Sequence, residues 1–376
     1  MKISLKIFLF IFFILQGISE VKAQNPVKIH SHSAEALLTW MDPNRAPSEI
    51  DSITKLPGSQ IMEQLMLRQN KKAIAFHQAL TEFAEKDSIS NNQYLLNEVF
   101  KNRNDLKKII SAVKKSDLTG KTYQRAIQYF SDHYAPSENY DVFFTLTGWK
   151  WGDAMTFHYT KKGDRYLVAD TGKPAMLFNL TLAHRNYGNS PDQQIKTLQN
   201  VMAHELFHAL FSDFNKEKWE STKINKLSFA TLKLMLNEGM AHYIAEKENL
   251  TKNYYEEQKL RKKEKKAFKI LSNQTVSIFN TDVDTDKRKK RILKGTYGKY
   301  WKKYICIPPM FMAYHIEQHS GEKILKECLK EGPIFFIFSY HKIQVKKNKL
   351  PPLPEEIIKL LKIEKENQNN HYKPII

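Results

Sequence analysis

Two histidines four residues apart, with a glutamate directly after the first, are the residues of this sequence best suited to chemistry. They form the run His204-Glu205-Leu206-Phe207-His208. Residues four apart on a helix share a face, so both imidazoles can bind one metal ion. Glu205 can then act as a general base toward a water molecule held by that metal. The spacing therefore predicts a zinc hydrolase site on a helix.

The residues before this motif favour a helix. Ser190, Pro191 and Gln193 have the types expected at an N-cap, in a first helical turn and in a capping box. Apolar residues then recur at roughly helical spacing, at Ile195, Leu198, Val201, Met202, Leu206 and Leu210. The competing interpretation is an amphipathic helix whose histidines are ordinary polar or core residues.

A second motif can complete the site. A catalytic zinc site has three protein ligands and keeps its last position open for water. Residues 237–242 read Asn-Glu-Gly-Met-Ala-His and lie in the next helical pattern, from about Phe229 to Ala245. Glu238 can supply the third ligand, and His242, one turn later on the same face, can hydrogen-bond a ligand from behind. An extended pattern with a third histidine six residues after the second is excluded by the residue types present.

The two motifs together resemble those of the gluzincin metallopeptidases, the thermolysin-like group in which a later helix supplies a glutamate ligand. The Asn-Glu-Gly-x-Ala form is most similar to that of secreted bacterial zinc-dependent peptidases of little-known function. The resemblance covers about residues 141 to 325. It implies that His204, His208 and Glu238 bind Zn²⁺ and that Glu205 is the catalytic base.

The resemblance also raises the question of which residues assist the metal. His242 stands where thermolysin-like enzymes often carry an aspartate that orients the first histidine. These peptidases often carry a tyrosine, followed by a glycine, that faces the metal. Prolines occupy the expected glycine region here, and Tyr300 and Tyr304 are both candidates for stabilising the oxyanion. Aromatic core packing is the competing interpretation for each tyrosine.

The hydrophobic pattern predicts a mainly helical α+β protein, with a small sheet directly before the HExxH helix and a helical N-terminal region. Helical periodicity runs from about Ala34 to Tyr134. Four strands with glycine-containing turns follow, at residues 142–146, 155–159, 166–169 and 175–180. In gluzincins an edge strand can bind an extended peptide, and residues 178–182 are the candidate edge. We expect His158 and His184 to be surface residues and not ligands.

The chain divides into four expected regions. Residues 1–23 have the basic start, apolar run and small-residue cleavage site of a signal peptide. An N-terminal helical region at 24–139, a zinc metallopeptidase domain at 140–345 and a C-terminal tail at 346–376 follow. The apolar run is too short to span a bilayer, and no later stretch is apolar enough to do so. We therefore expect a secreted or periplasmic protein without a transmembrane anchor.

The chain carries a formal net charge of +19, much of it between Lys252 and Lys303. A long charged helix of about residues 247–271, followed by a basic loop, is the expected structure of this segment. It could attract acidic peptides, an anionic envelope or nucleic acid, and the competing interpretation is a solvated lysine-rich surface. No nucleic-acid fold signature accompanies the charge, so no nucleic-acid partner is expected. Cys306 and Cys328 form either one disulfide or two separate thiols.

These features favour an exported zinc metallopeptidase that acts on a peptide or protein substrate. A non-peptide zinc hydrolase is the first alternative, because the motif fixes the metal chemistry and not the substrate. An exported zinc-binding scaffold protein without turnover is the second. Glu205 argues against the scaffold, since a purely structural zinc site needs no general base.

Overall fold

The structure, a computed structural model, describes residues 25–42, 46–70, 72–148, 152–215, 219, 224–254 and 258–368. The predicted signal peptide, residues 1–23, lies outside these ranges, as does the end of the tail. Within them the chain is mainly helical and contains one five-stranded sheet, which confirms the predicted α+β class. None of the helices in the described ranges is both long and apolar enough to cross a membrane.

The N-terminal region is helical, as its periodicity predicts. Its helices are α1 (His32–Trp40), α2 (Ile50–Thr54), α3 (Pro57–Gln69), α4 (Phe76–Lys86), α5 (Leu96–Lys101), α6 (Arg103–Lys115) and α7 (Leu118–Ile127). Helix α4 shows why they form, because Phe76, Ala79, Leu80 and Phe83 are buried at positions that share one helical face. Burial of such faces, more than intrinsic propensity, stabilises these short helices.

The sheet contains the four predicted strands and one that was not predicted. Its strands are β1 (Val27–His30), β2 (Tyr140–Thr145), β3 (Ala154–Lys162), β4 (Arg165–Ala169) and β5 (Lys173–Asn179), in the order β1-β2-β5-β3-β4. Strands β1, β2 and β5 are parallel, whereas β3 is antiparallel to both β5 and β4. Strand β1 has four residues, too few for a readable alternation. It joins the N-terminal region directly to the sheet.

The predicted edge strand at residues 178–182 is wrong. Strand β5 lies between β2 and β3, and a helix begins directly after it at Leu180. The outer edge at β4 is already paired with a side chain of α3. The Gln64 amide donates to the Tyr166 carbonyl at 2.6 Å and accepts from the Val168 N–H at 2.9 Å. Strand addition at β4 would require the same backbone groups, so this edge is blocked to a peptide.

The remaining α-helices of the described chain come after the sheet. They are α8 (Leu180–Asn186), α9 (Pro191–Phe214), α10 (Lys226–Asn253), α11 (Gln258–Phe279), α12 (Thr285–Tyr297), α13 (Ile307–Ser320), α14 (Glu322–Glu331), α15 (Pro333–Lys346) and α16 (Glu355–Gln368). Two expectations are wrong here. The single charged helix of residues 247–271 is divided between α10 and α11, and the basic loop is helix α12. Arg288 and Ile292 are buried on one face of α12, and that tertiary packing stabilises a helix that its charge pattern does not reveal.

A glycine allows helices α10 and α13 to come into close contact. A Cβ atom at Gly239 would overlap Pro309. Pro309 lies near the start of α13, where a missing backbone N–H costs little because the first N–H groups of a helix have no intrahelical partner. The start of α13 therefore packs directly on α10 beside Glu238.

A buried carboxylate, Asp141, joins three strands to β2. Its Oδ1 lies 2.8 Å from His30 Nε2, its Oδ2 lies 2.6 Å from Lys173 Nζ, and the Tyr159 hydroxyl donates to it. Burial alone would raise the pKa of this carboxyl. The hydrogen bonds from His30, Lys173 and Tyr159 outweigh burial and hold the pKa of Asp141 well below its usual range.

We predict that Asp141→Asn lowers the free energy of unfolding by about 3 kcal/mol at pH 7, the scale for removing one partner of a buried ion pair. The folded-state pKa lies below that of the unfolded chain. The ionised carboxylate therefore contributes its full stability above about pH 5, and this contribution is lost as the pH falls through the folded-state pKa. Urea unfolding at pH 7 and pH 3 should show that the difference between wild type and variant shrinks in acid.

The matched control is Asp105→Asn, which removes an exposed carboxylate that lies 2.8 Å from Lys108 Nζ. This change should leave the urea midpoint unchanged at both pH values. An equal loss of stability at pH 7 and pH 3 in Asp141→Asn would contradict the role of the charge and leave only a packing effect.

Candidate metal centre

Helix α9 carries the first motif and begins as the sequence predicts. The Ser190 side chain accepts a hydrogen bond from the Gln193 N–H at 3.3 Å, and Pro191 occupies the first turn. The Gln193 side chain accepts from the Asn189 N–H at 2.9 Å, so the capping interaction reaches one residue further back than expected. The apolar side of α9 is buried in the core, and this fixes the rotation of the helix and the direction of its histidines.

His204 and His208 direct their Nε2 atoms at the same point. These two atoms are 3.0 Å apart, and the two rings are nearly perpendicular. Two nitrogens bound to one tetrahedral zinc at its usual bond lengths lie roughly 3.3 Å apart. The pair is therefore spaced as one zinc ion requires.

Glu238 approaches the histidine pair from helix α10. Its Oε1 lies 3.9 Å from His208 Nε2, and its side chain is largely buried. Ligand atoms of His204, Glu238 and His242 lie within 4.8 Å of one another. The residues that meet this ligand-atom criterion are His204, Glu238 and His242, and His208 joins them through its contacts with His204 and Glu238.

His242 presents an unsatisfied nitrogen to this cluster. Its Nε2 is buried, has no hydrogen-bond partner in the described part of the chain, and lies 3.8 Å from Glu238 Oε2. Its ring packs against those of His204 and Tyr300. Because burying a polar atom without a partner is unfavourable, this nitrogen is suited to a cation or a water held by the cluster. The donor set of imidazoles and one carboxylate fits zinc.

The second motif also orients the histidines, a role that the sequence interpretation missed. Nδ1 of His208 lies 3.0 Å from Asn237 Oδ1, and His204 hydrogen-bonds the backbone of Ala241. Such bonds fix the ring orientation and leave Nε2 for a metal. Asn237 and Ala241 flank Glu238 in the sequence, and that spacing was the available signal. The Asn-Glu-Gly-x-Ala pattern therefore combines a ligand with two positions that direct the other ligands.

The electrostatic environment favours neutral histidines. Burial, followed by the charges of the neighbouring histidines and Lys303, lowers the pKa of His204 well below its usual value. Burial and Lys303 do the same to His242. A histidine must be neutral to bind a metal, so these shifts favour binding. Lys303, whose charge acts on this site, was not predicted from the sequence.

The surroundings of Glu205 raise its pKa and so favour the protonated carboxyl. Burial raises its pKa, His208 opposes the rise, and the negative charges of Glu238 and Asp153 add to it. A carboxylate with a raised pKa is a stronger base, which suits general acid–base catalysis near neutral pH. Asp153, just before strand β3, is a second residue that the sequence interpretation missed.

The two predicted tyrosines have different positions. The Tyr300 ring packs against His242, with ring centroids 5.4 Å apart, but its hydroxyl donates to Glu246 Oε1 at 3.2 Å. The Tyr304 hydroxyl donates to the Arg291 carbonyl and so fixes the end of α12. The structure thus brings Tyr300 to the edge of the cluster. The Tyr304 hydroxyl, in contrast, forms its hydrogen bond with α12 and not with a proposed ligand.

Tyr297, the last residue of α12, is a further tyrosine that the sequence interpretation did not consider. Its side chain is 80% exposed. Partial loss of solvent around the side chain, followed by the negative charge of Glu238 and, more weakly, of Glu205, raises its pKa. The hydroxyl therefore lies within electrostatic range of the cluster and stays protonated at neutral pH. Gly298 follows directly, so the expected tyrosine–glycine pair was present a few residues before the segment considered.

The Cys306 thiol supports Glu238 from helix α13. Cys306 Sγ lies 3.4 Å from Glu238 Oε2 and 3.8 Å from the Thr296 carbonyl. Burial, followed by the Glu238 charge, raises the thiol pKa, so the thiol stays protonated and can donate. Cys306 and Cys328 are both buried and unpaired, which decides between the two sequence alternatives in favour of separate thiols. The contact leaves Glu238 Oε1 directed toward His208.

The remaining two histidines considered from the sequence lie outside the cluster. His158 is exposed on strand β3. His184 Nε2 lies 3.8 Å from Asp105 Oδ2, on helix α6. These positions suit surface residues and not ligands.

Comparison with known protein families gives a match that covers most of the chain. Residues 50–349 match the model of the family described as "Putative zinc dependent peptidase (DUF5700)". The match spans about four-fifths of the chain and includes both motif helices, α9 and α10. Searches of the curated proteins and of the solved structures found no match. The chain therefore belongs to the DUF5700 family.

Proposed function

We propose that this protein is an exported metallopeptidase of the gluzincin type that hydrolyses peptide bonds with zinc. The observation that carries the proposal is the convergence of His204, His208 and Glu238 beside Glu205. The two histidines would hold Zn²⁺ from α9 and Glu238 would hold it from α10, while His242, whose buried Nε2 faces the same cluster, would hydrogen-bond a ligand or a water held there. Membership of a zinc-dependent peptidase family supports the same activity.

Each residue of the cluster has a separate role in the proposed hydrolysis. Zinc, when bound, polarises the scissile carbonyl and lowers the pKa of the attacking water. Glu205 accepts the proton of that water on a carboxylate oxygen and delivers it to the leaving amine nitrogen. The raised pKa of Glu205 makes its carboxylate a stronger base for the first of these two transfers. The Tyr297 hydroxyl donates to the oxyanion that develops on the carbonyl oxygen, and the Lys303 charge favours the same negative charge.

Export rests on the start of the sequence. Lys2 and Lys6 precede an apolar run, and a small-residue cleavage site ends at residue 23. We propose that the mature chain acts in the periplasm or outside the cell. Its two cysteines, Cys306 and Cys328, are buried free thiols and form no disulfide with each other.

The ligand set can be tested by its effect on zinc binding. We predict one zinc per chain, with most of it lost in His204→Ala, His208→Ala or Glu238→Ala because each removes one of three ligands. His242→Ala should weaken zinc binding only on the order of 10–100-fold, as expected for a residue that hydrogen-bonds a ligand. The measurements are zinc content after dialysis and the zinc Kd by chelator competition.

His158→Ala is the matched control, because it removes an exposed histidine outside the cluster. It should bind zinc like the wild type. Loss of zinc in His242→Ala together with full retention in His208→Ala would replace the proposed set by His204, Glu238 and His242.

Glu205 is proposed to act as a base and not as a ligand. Glu205→Gln should therefore keep its zinc while the rate of peptide hydrolysis falls about 10²–10⁴-fold. A quenched-fluorescence peptide library, digested with and without chelator, measures the rate, and zinc analysis of the same samples provides the control. A fully active Glu205→Gln would refute the mechanism. Hydrolysis of an ester without any peptide cleavage by the wild type would favour the non-peptide hydrolase, and zinc binding without turnover would favour the scaffold.

The effect of each tyrosine on kcat shows which of the three stabilises the oxyanion. Tyr297→Phe should lower kcat by about 10²-fold with little change in KM, since a donor to the transition state is removed. Tyr304→Phe is the control, because its hydroxyl bonds the Arg291 carbonyl and should affect stability more than kcat. Steady-state kinetics and thermal unfolding of both variants test this assignment. A larger loss of kcat in Tyr300→Phe than in Tyr297→Phe would assign the role to Tyr300.

A further inference from the structure

The exposed face of helix α12 combines basic and apolar side chains and ends at the metal cluster. We call Lys290, Leu293, Lys294 and Tyr297 the α12 ridge. Their spacing of three and four residues places them on one helical face. Leu293 is 55% exposed, Tyr297 is 80% exposed, and both lysines are exposed.

The opposite face of α12 holds the ridge in place. Arg288 is buried, and its guanidinium donates to the Ile278 carbonyl at 2.7 Å and to the Ser228 hydroxyl at 2.8 Å. Gly295 packs so closely on the Tyr304 ring that a Cβ atom would overlap it. These contacts anchor α12 to α10, α11 and the segment before α13. The ridge is therefore presented by a fixed element and not by a loose loop.

The charge of the ridge is not neutralised by neighbouring acids. Helix α12 contains six basic residues and one acidic residue, Asp286. Asp286 lies 3.6 Å from Lys289 Nζ, and within the described ranges no ion pair involves Lys290 or Lys294. Clustered charge of one sign raises the local concentration of oppositely charged ligands. The ridge should therefore attract an anionic ligand.

The position of the ridge indicates which anionic ligand this is. The end of α12 lies beside the cluster, because the Thr296 carbonyl is 3.8 Å from Cys306 Sγ, which is 3.4 Å from Glu238 Oε2. Leu293 and Lys290 are about 6 and 10 Å further back along the helix axis than Tyr297. An extended peptide advances about 3.3 Å per residue, so these side chains lie roughly two and three peptide residues from Tyr297. An apolar side chain between two lysines suits a peptide that alternates apolar and acidic residues. The blocked edge at β4 leaves such a peptide without strand addition there.

We propose that the α12 ridge binds an acidic segment of the polypeptide substrate. An apolar substrate residue would contact Leu293 about two residues from the bond cleaved, and acidic residues beside it would contact Lys290 and Lys294. This inference rests on the proposed peptidase function for its orientation toward the cluster. Binding of the acidic segment itself can be measured without turnover.

The test uses the zinc-loaded full mature chain carrying Glu205→Gln, so that no peptide is cleaved. The probe is a fluorescein-labelled peptide that contains four glutamates around one leucine, compared with the same peptide carrying glutamines instead. Fluorescence anisotropy should show tighter binding of the acidic peptide. Adding Lys290→Glu and Lys294→Glu should weaken it about 10-fold or more at low ionic strength, and by less in high salt because exposed charges are screened. Leu293→Asn should weaken binding of both peptides in a salt-independent way.

The control is Lys342→Glu with Lys346→Glu, which places the same charge change at the same spacing on the exposed side of α15. An equal loss of binding in this control would show a general effect of net charge and overturn the proposal. Equal affinity for the glutamate and glutamine peptides would also overturn it. So would ridge-dependent binding to vesicles containing phosphatidylglycerol without binding of the acidic peptide. Peptide binding with no cleavage of any peptide by the wild type would support the ridge and refute the peptidase function.

Discussion

The structure depends on two imidazole nitrogens that face each other at 3.0 Å. His208 and His204 are each bonded from behind, by Asn237 and by the backbone of Ala241, so the Nε2 lone pairs of neutral rings point inward. Two facing lone pairs repel unless a cation lies between them. The packing of α9 on α10 enforces this arrangement, and the helices around the pair supply a carboxylate, a third imidazole and low solvent access. A zinc ion held by both rings would replace this unfavourable contact by two metal–ligand bonds.

The close contact between α10 and α13 extends this constraint outward. Because Gly239 admits Pro309, the thiol of Cys306 reaches Glu238, and the short segment before α13 brings Tyr300 and Lys303 to the cluster. The sheet contributes in a different way. Its β4 edge is sealed by α3, and its buried carboxylate Asp141 stabilises the strands. Substrate contacts are therefore expected on the helical side, near α12.

The sequence contained the metal chemistry but not its surroundings. The His-Glu-x-x-His run was readable because two histidines four residues apart share a helical face, and that spacing is local. Glu238 lies on the next helix and was readable from its own short motif. The four strands were readable from alternation and glycine turns. The position of β5 inside the sheet was not, since strand order depends on contacts between distant residues. A buried central strand and a short edge strand can also both appear as an apolar run.

The sequence interpretation did not consider Tyr297 for a similar reason. Tyr297 sits in a lysine-rich segment that has the composition of a solvated loop, and the buried contacts of Arg288 that make it helical involve residues up to 60 positions away. Lys303 and Asp153 affect the site through charge across space, for which neighbouring residues give no signal. Asn237 and Ala241 were a different case, because their positions one residue before and three residues after Glu238 were a signal that the sequence interpretation did not use.

The arrangement of the ligands on successive helices also affects how the chain can assemble. All three proposed ligands lie between residues 204 and 238, so joining them closes a single short loop at a small cost in chain entropy. Contacts this local form quickly, and metal binding adds its free energy to the folding of whatever segment holds it. The pair α9–α10 would therefore supply every proposed ligand from one continuous segment of the chain. The Cys306 thiol and Tyr297 come later in the sequence, so metal binding by this segment would not depend on them.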